Sequence, residues 1–326
     1  MATSLMIRKS CVLVVFLALV ALGRLTAAAE PVKIGALTEG WGATPATVGL
    51  RDGLTALGYR EGTEFVIGTW FTQGDSKELP AAARALIKSG SDILFTSGMN
   101  AAKVAQAVTA TVPIVFAEVV ADPVGVGLVQ SIAKPGGNIT GVTDLSDELG
   151  PKRLEILKEM LPGLKRVVFV YDPQAIGSAE FLRKNRDAAR QLRITLVERP
   201  ARSGADVRAA VAAARKGEDG LVPGSSMSLN IPGLVLEATA QHRVPTIFNG
   251  PFWTERGALA SYGPDFYESG RQAARLVDKI IKGEKPATIP VETNSRIELT
   301  INLKVAKALG LEIAPTVVQR ATRVIE

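Results

Sequence analysis

Side chains that commonly perform catalysis are scarce in this chain. Its 326 residues include one histidine, His242, and one cysteine, Cys11. A Ser-His-Asp triad would need a nucleophile elbow of the form G-x-S-x-G, which is absent, and one histidine cannot build a histidine-rich zinc site. A G-x-G-x-x-G motif after a strand and a P-loop motif are also missing. The sequence therefore predicts no enzyme activity, no cofactor and no metal, and a structural role for His242 at a helix end.

Polar and aromatic side chains are instead concentrated in loops that follow predicted strands. In open α/β sheets, ligands bind beyond the carboxyl ends of the strands, beside helix N-termini. Hydroxyls, amides and flat rings at that edge favour binding of a small ligand, although each Ser or Asn taken alone can equally cap a helix or form a turn. The candidate ligand-binding residues are Thr38, Trp41, Ser97, Gly98, Asn100, Glu118, Asp122, Tyr171, Ser225, Ser226, Asn249 and Tyr262.

The elements that must position these loops alternate between strands and helices from Pro31 onward. Short β-branched runs such as Val32–Leu37 are followed by stretches with helical spacing, which is the pattern of βαβ units and a parallel sheet. Thr44 precedes Pro45 at a predicted helix start, and a long amphipathic helix is predicted from Asp265 to Lys282. The pattern predicts an α/β fold with two doubly wound units. Trp70, inside the second strand, is expected in the core.

The first 29 residues have the pattern of a secretory signal peptide. Arg8 and Lys9 precede the apolar run CVLVVFLALVAL, which is too short to span a bilayer, and an Ala-x-Ala sequence ends at Ala29. Cleavage there would leave 297 residues and remove Cys11. We therefore expect an exported, periplasmic protein; an uncleaved N-terminal anchor is the alternative.

The net positive charge of the chain is smaller when residues 1–29 are excluded. Three cations and no acids leave with residues 1–29, so the formal charge falls from +6 to +3. The densest basic stretch runs from Arg183 to Arg193. The acid Glu180 lies just before this stretch, and the acid Asp187 lies within it. The stretch is expected to be a solvated helix face, and no nucleic-acid partner is predicted.

Several segments resemble one protein family over nearly the whole chain after residue 29. They are DGLTALGYREG (Asp52–Gly62), DPVGVGLVQSIAKPGGNITGV (Asp122–Val142), LEILKEMLPGLKRV (Leu154–Val167), GALASYGPDFYESGRQAARLVDKIIKGEKPATIPVE (Gly257–Glu292) and INLKVAKALGL (Ile301–Leu311). They are similar to substrate-binding proteins of ABC importers, in the family that includes tryptophan-binding members.

The resemblance implies a type I periplasmic-binding-protein fold, in which two Rossmann-like lobes with parallel sheets are joined by three crossovers. Residues 30–144 and 264–285 are then expected in the N-terminal lobe, and residues 145–263 and 286–326 in the C-terminal lobe. A small polar or amino-acid-like ligand, aromatic in some family members, would bind between the lobes. Trp41 and Trp253 are candidate lids over that ligand.

Two departures from the family pattern fall in the candidate site. Gly98-Met99-Asn100 stands where the family usually has Gly-Thr-Pro, and residues 117–122 contain one residue more than expected, including Glu118. By position, the Ser97–Asn100 loop is suited to a ligand carboxylate, and Asp122 to an ammonium group or a helix cap.

The resemblance further implies a monomer that closes on its ligand and docks on an ABC permease in the inner membrane. The first alternative is a binding subunit that senses a ligand for a membrane receptor without transport. The second is an exported hydrolase that uses paired carboxylates, which the sequence cannot pair in space.

Overall fold

A computed structural model describes residues 30–224 and 231–326. The predicted signal peptide at residues 1–29 lies outside the described residues, as do the candidates Ser225 and Ser226. Strands and helices alternate as predicted, and the strands form one sheet in each half of the molecule.

The first sheet is parallel, with six strands in the order β11-β5-β4-β3-β1-β2. Its strands are β1 (Val32–Thr38), β2 (Phe65–Phe71), β3 (Ile93–Ser97), β4 (Ile114–Val119), β5 (Ile139–Thr143) and β11 (Glu292–Thr293). The helices around it are α1 (Pro45–Ala56), α2 (Leu79–Lys88), α3 (Met99–Val108) and α9 (Phe266–Ile281).

The second sheet is built from two hydrogen-bonded groups of strands, β7-β6-β8 and β13-β12-β10-β9. A bridge between Leu221 and Thr246 joins β8 to β9, so the two groups are continuous. The strands are β6 (Arg166–Tyr171), β7 (Thr195–Pro200), β8 (Asp219–Pro223), β9 (Ile247–Phe248), β10 (Ala260–Pro264), β12 (Ile297–Asn302) and β13 (Arg323–Ile325). The helices of this half are α4 (Gly150–Met160), α5 (Ser178–Gln191), α6 (Gly204–Ala212), α7 (Ile231–His242), α8 (Pro251–Glu255), α10 (Leu303–Leu309) and α11 (Pro315–Val318).

Helices cover both faces of the central strands of each sheet, which explains why strands such as β3, β4 and β6 are hydrophobic along most of their length. In the first half, Leu79 of α2 and Met99 of α3 pack on one face of the sheet, and Leu50 of α1 and Val277 of α9 pack on the other. Two further clusters flank the second sheet in the same way. These hydrophobic clusters hold each sheet in place, and with it the strand ends that carry the candidate residues.

The chain passes between the two sheets three times, after β5, after β10 and after β11. The last passage corrects the predicted lobe boundary. Glu292 pairs with Val142 of β5, and Ile289 packs among the core residues of the first sheet. Residues 286–294 therefore lie with the first sheet, because their hydrophobic positions complete its core, and the chain joins the second sheet at β12.

The three passages are held together by two buried polar side chains. Arg153, 1% exposed, donates from Nε to the Tyr262 carbonyl at 2.8 Å and from Nη2 to the Ser146 carbonyl at 2.7 Å. Asn294 donates from Nδ2 to the Asp265 carbonyl at 2.8 Å and from its backbone N–H to the Thr143 carbonyl at 2.8 Å. These bonds link the first passage to the second and the third to both.

One prediction about the core was wrong. Trp70 is 47% exposed, because β2 is the edge strand of the first sheet and pairs only with β1. Its ring lies on a face of that edge strand that remains in solvent.

The cations of α5 make ion pairs with neighbouring acids. Arg183 contacts both Glu180 and Asp187, and Arg186 contacts Glu198 of β7 at 2.5 Å. The helix face is thus a mixed-charge surface, as its sequence suggests.

Helices α1 and α9 approach each other closely through small residues. A methyl group added at Gly270 would lie 2.0 Å from the Ala46 carbonyl oxygen, and one added at Gly49 would lie 2.0 Å from the Tyr267 carbonyl oxygen. Because both obstacles are backbone atoms of a packed helix, they cannot rotate away. This contact sets the positions of Thr44 and Phe266, the residues that begin the two helices.

We predict that Gly270→Ala destabilises the protein by about 1–3 kcal/mol, because the helices must separate to admit the methyl group. Urea unfolding followed by circular dichroism measures the loss. Gly68→Ala is the matched control, since its added methyl meets no atom within 4 Å and should change stability by less than about 0.5 kcal/mol. Equal stabilities of the two variants would contradict the proposed contact.

Candidate ligand-binding site

A cavity of about 440 Å³ lies between the two sheets, within the size range of small-molecule sites. It is formed by residues that follow the carboxyl ends of β1, β3 and β4 in the first half and of β6, β8 and β9 in the second. The lining residues are Glu39, Gly40, Trp41, Gly42, Ala43, Thr44, Pro45, Gly98, Met99, Asn100, Glu118, Val120, Asp147, Tyr171, Asp172, Ala175, Ile176, Ser178, Phe181, Gly224, Gly233, Asn249, Phe252, Trp253, Arg256 and Phe266.

Half of the candidate residues line this cavity. They are Trp41, Gly98, Asn100, Glu118, Tyr171 and Asn249. They come from both halves of the chain, so the loops that the sequence singled out at separate strand ends converge on one space.

Thr38 and Ser97 lie behind the wall. Thr38 is buried, and its hydroxyl accepts a hydrogen bond from the Gly40 N–H at 3.0 Å, which shapes the loop that follows β1. The Ser97 hydroxyl contacts Glu118 and lies 3.0 Å from the Thr44 hydroxyl. Both side chains therefore support residues that face the cavity.

Asp122 and Tyr262 are placed away from the cavity. Asp122 is exposed and accepts hydrogen bonds from the N–H groups of Val124 and Gly125 at 3.0 Å each, so it caps a turn. The side chain of Tyr262 packs against the core of the second sheet, and its carbonyl accepts the bond from Arg153.

The N-terminus of α3 opens onto the cavity. Gly98 precedes the helix with φ +100°, a conformation that favours glycine. The Asn100 side chain in the first turn donates to both carboxylate oxygens of Glu39 at 3.2 Å. The sequence suggested this end of α3 as the place for a ligand carboxylate. In the structure the Glu39 carboxylate lies there.

Glu118 reaches the cavity through an irregularity in β4. The pairing of β4 with β5 shifts between Phe116 and Val119, where three steps on β4 match two on β5. Glu118 has φ +56°, a strained conformation for a residue with a side chain. The register shift is a β-bulge, and bulges commonly re-aim a side chain. Here the bulge directs a carboxylate into the space between the sheets.

Two carboxyl groups near this bulge have pKa values raised by burial into the neutral range. Burial raises the pKa of Glu118 to about 7, although its hydrogen bond with Ser97 acts in the opposite direction. Burial likewise raises the pKa of Asp144 to about 7, opposed by bonds from Ser146 and reinforced by the charges of Glu118 and Asp147. Burial also raises the pKa of Glu39. The cavity wall is therefore acidic and only partly ionised in the absence of a ligand.

Aromatic rings form much of the remaining wall. Trp253 is buried and stacks on Phe248 with ring centres 5.5 Å apart, and Phe252 meets it edge-on at 5.1 Å. Trp41 lies on the opposite lobe and is 59% exposed. Flat apolar surfaces from both lobes therefore enclose one space.

The two lobes touch at one side of the cavity. Ile176, which follows β6, packs against the core of the first sheet, as do Ala121 and Val126. Asp172 is near enough to Glu39 for its charge to raise the pKa of that group. Side chains from both lobes can therefore contact one bound molecule.

Comparison with known proteins assigns the chain to a family. The family described as ABC transporter substrate binding protein matches residues 31–325. The chain belongs to this family. It is also similar to a tyrosine-binding protein of Clostridioides difficile, with 27% identity over 283 residues that cover 86% of this chain and 81% of that protein.

Two solved structures are similar to this substrate-binding protein. A conserved domain protein from Vibrio cholerae has 31% identity and a TM-score of 0.80, and the match covers 90% of this chain and all of that one. An ABC domain in complex with L-Trp from Streptococcus pneumoniae has 25% identity and a TM-score of 0.80, with 91% and 100% covered. These matches confirm the family and the fold class predicted from the sequence.

Some cavity residues of the substrate-binding protein were not among the candidates. They are chiefly Glu39, Asp147, Asp172, Phe252, Arg256 and Phe266. Glu39 and Asp172 follow strand ends as the chosen residues do, and that position alone would have found them. Asp147 and Phe266 follow crossovers, so their approach depends on how the lobes pack.

Among residues 30–224 and 231–326, no helix has the length and apolar character needed to cross a bilayer. Within the same ranges, no three His, Cys, Asp or Glu side chains are grouped so that they would hold a metal ion.

We predict that Glu118→Gln stabilises the ligand-free protein at pH 8. Because the folded-state pKa of about 7 exceeds the unfolded value near 4.3, the stability that Glu118 contributes is complete below about pH 4.3. It is lost as the pH rises through 7. The glutamine should therefore raise the free energy of unfolding by about 1–3 kcal/mol at pH 8 and by little at pH 5.

Urea unfolding of ligand-free protein at the two pH values measures this difference. Glu312→Gln, at an exposed position, is the control and should change neither value. A gain from Glu118→Gln that is equal at pH 5 and pH 8 would show that the buried charge is not its cause.

Proposed function

We propose that this protein is the exported solute-binding component of an ABC importer. It captures an amino acid or a similar small nitrogen-bearing solute between its lobes in the periplasm and delivers it, as a monomer, to a permease in the inner membrane. The observation that carries the proposal is the inter-lobe cavity, whose acidic and aromatic lining is contributed by both lobes.

Capture follows from the arrangement of the lining. A molecule in the cavity contacts Trp41, Asn100 and Glu118 from one lobe and Tyr171 and Asn249 from the other. Only a closed molecule offers both sets at once, so a ligand favours closure by the free energy of the additional contacts. The three passages linked by Arg153 and Asn294 are the hinge, and residues 30–144 with 264–294 move against the rest.

The size and chemistry of the cavity support the ligand class. A volume of about 440 Å³ suits a single small solute. Trp41 and Phe252 offer faces for a flat or apolar body, and Glu118 offers an acceptor for an ammonium group. The tyrosine-binding relative and the L-Trp complex support an amino-acid-like ligand.

The expected outcome is a saturable change in tryptophan fluorescence when ligand-free protein is titrated with a panel of amino acids, because Trp41 is exposed and lies on the cavity. The same ligand should raise the melting temperature, since it binds only the folded state. No response to any amino acid or related amine in either measurement would overturn the binding function.

Substitution of a cavity residue tests whether the ligand binds in the cavity. Asn249→Ala removes a polar side chain from the second-lobe wall and should weaken binding by about tenfold, as expected for one hydrogen bond at a buried site. Asn138→Ala is the control, because Asn138 bonds the Thr109 and Val112 carbonyls away from the cavity. Equal affinities of the two variants would place the ligand elsewhere.

Delivery is tested separately from binding. Vesicles containing the cognate permease and its ATPase should take up the ligand only when the binding protein is added. Binding without uptake would instead favour a ligand-sensing subunit of a membrane receptor.

A further inference from the structure

Three carboxylates face the cavity without a cationic side chain beside them. Glu39, Glu118 and Asp172 make no ion pair with a lysine, an arginine or His242 among the described residues. The cavity is lined by a single basic side chain in the described ranges, Arg256. Its guanidinium is exposed and lies 3.5 Å from the centre of the Phe252 ring. The described lining therefore has an excess of negative groups.

The groups that would bind a ligand carboxylate already contact acids of the protein. Asn100, in the first turn of α3, donates to both oxygens of Glu39. The Ser97 hydroxyl, at the end of β3, donates to Glu118. A carboxylate placed at this helix end would therefore lie beside two acidic side chains, and like charges repel each other.

A cation in the same place would gain several interactions. It would form a charge-assisted hydrogen bond with the Glu118 carboxylate. The buried Oε1 of that group has no hydrogen-bond partner among the described residues, and its other contacts are neutral donors, the Ser97 and Thr44 hydroxyls and the Ala46 N–H. The cation would also lie near the rings of Trp41 and Tyr171, whose faces attract positive charge.

We infer that the preferred ligand is an organic cation with a flat or apolar body and no carboxylate, an amine rather than the corresponding amino acid, and that Glu118 selects it. This inference rests on the proposed function, because it assumes that the cavity binds a small solute.

Matched ligands separate charge from size. Isothermal titration calorimetry at pH 8 compares L-tryptophan with tryptamine and with L-tryptophanol, which keeps the ammonium group and nearly the same volume but has a hydroxyl in place of the carboxylate. L-Tyrosine is compared with tyramine, and L-leucine with isoamylamine. We expect each cation that binds to do so at least tenfold more tightly than its amino acid.

Two variants assign the selectivity to named acids. Glu118→Gln should weaken binding of the cations by about tenfold and change binding of the amino acids little, so that the ratio falls. Asp172→Asn acts from the second lobe and should change the ratio in the same direction by a smaller factor; its side chain oxygen can still accept the bond from the Gln174 N–H. Glu312→Gln is the control, and a cooperative unfolding transition for every variant shows that it is folded.

The outcomes distinguish this inference from the proposed function. Tighter binding of the cations, reduced by Glu118→Gln, supports the inference. An amino acid that binds as tightly as its amino alcohol or amine overturns the inference and leaves the proposed function intact. A preference for cations that Glu118→Gln does not reduce overturns the role of Glu118. Absence of binding by all the matched ligands overturns the inference, and the wider panel described above then decides the proposed function.

Discussion

Arg153 is a charged side chain buried at the junction of the two lobes, and much of the architecture depends on satisfying it. Burial lowers its pKa to about 10, with the charges of Asp147 and Asp144 acting in the opposite direction, so it remains a cation at neutral pH. A buried cation without partners costs several kcal/mol. Its hydrogen bonds to the Ser146 and Tyr262 carbonyls therefore fix two of the chain passages, and with them the relative positions of the sheet edges that form the cavity.

The same residue divides the acids of the site into two groups. The charges of Asp144 and Asp147 raise the pKa of Arg153, although burial still raises the pKa of Asp144 to about 7. Glu118 and Glu39 have hydroxyl and amide partners instead, and the pKa of both groups is raised by burial. The protein thus leaves its uncompensated acidity on the side of the cavity where the carboxyl ends of β1 and β4 meet. A positively charged ligand can supply the compensating charge that these acids lack.

The sequence predicted the features that arise from local periodicity. The run Val32–Leu37 and the Thr44-Pro45 helix start were found because strand alternation and helix capping act over a few residues. The strand ends likewise indicated which loops would converge on the cavity. The exposure of Trp70 was missed, since an edge strand and a central strand have the same hydrophobic sequence. The position of residues 286–294 was also missed, because a two-residue strand that completes a distant sheet has no periodicity of its own.

Glu118 shows how a local irregularity can change chemistry without changing the fold. Side chains along a strand alternate between faces, so an added residue would reverse every side chain beyond it unless the backbone absorbed the difference. Here the positive φ at Glu118 absorbs it, and Val119 returns to register opposite Thr143. The sheet keeps its pairing while one carboxylate turns toward the cavity. The backbone strain and the raised pKa both occur at Glu118. A cation bound there would stabilise the charged form of the carboxylate and so reduce the electrostatic penalty of its burial.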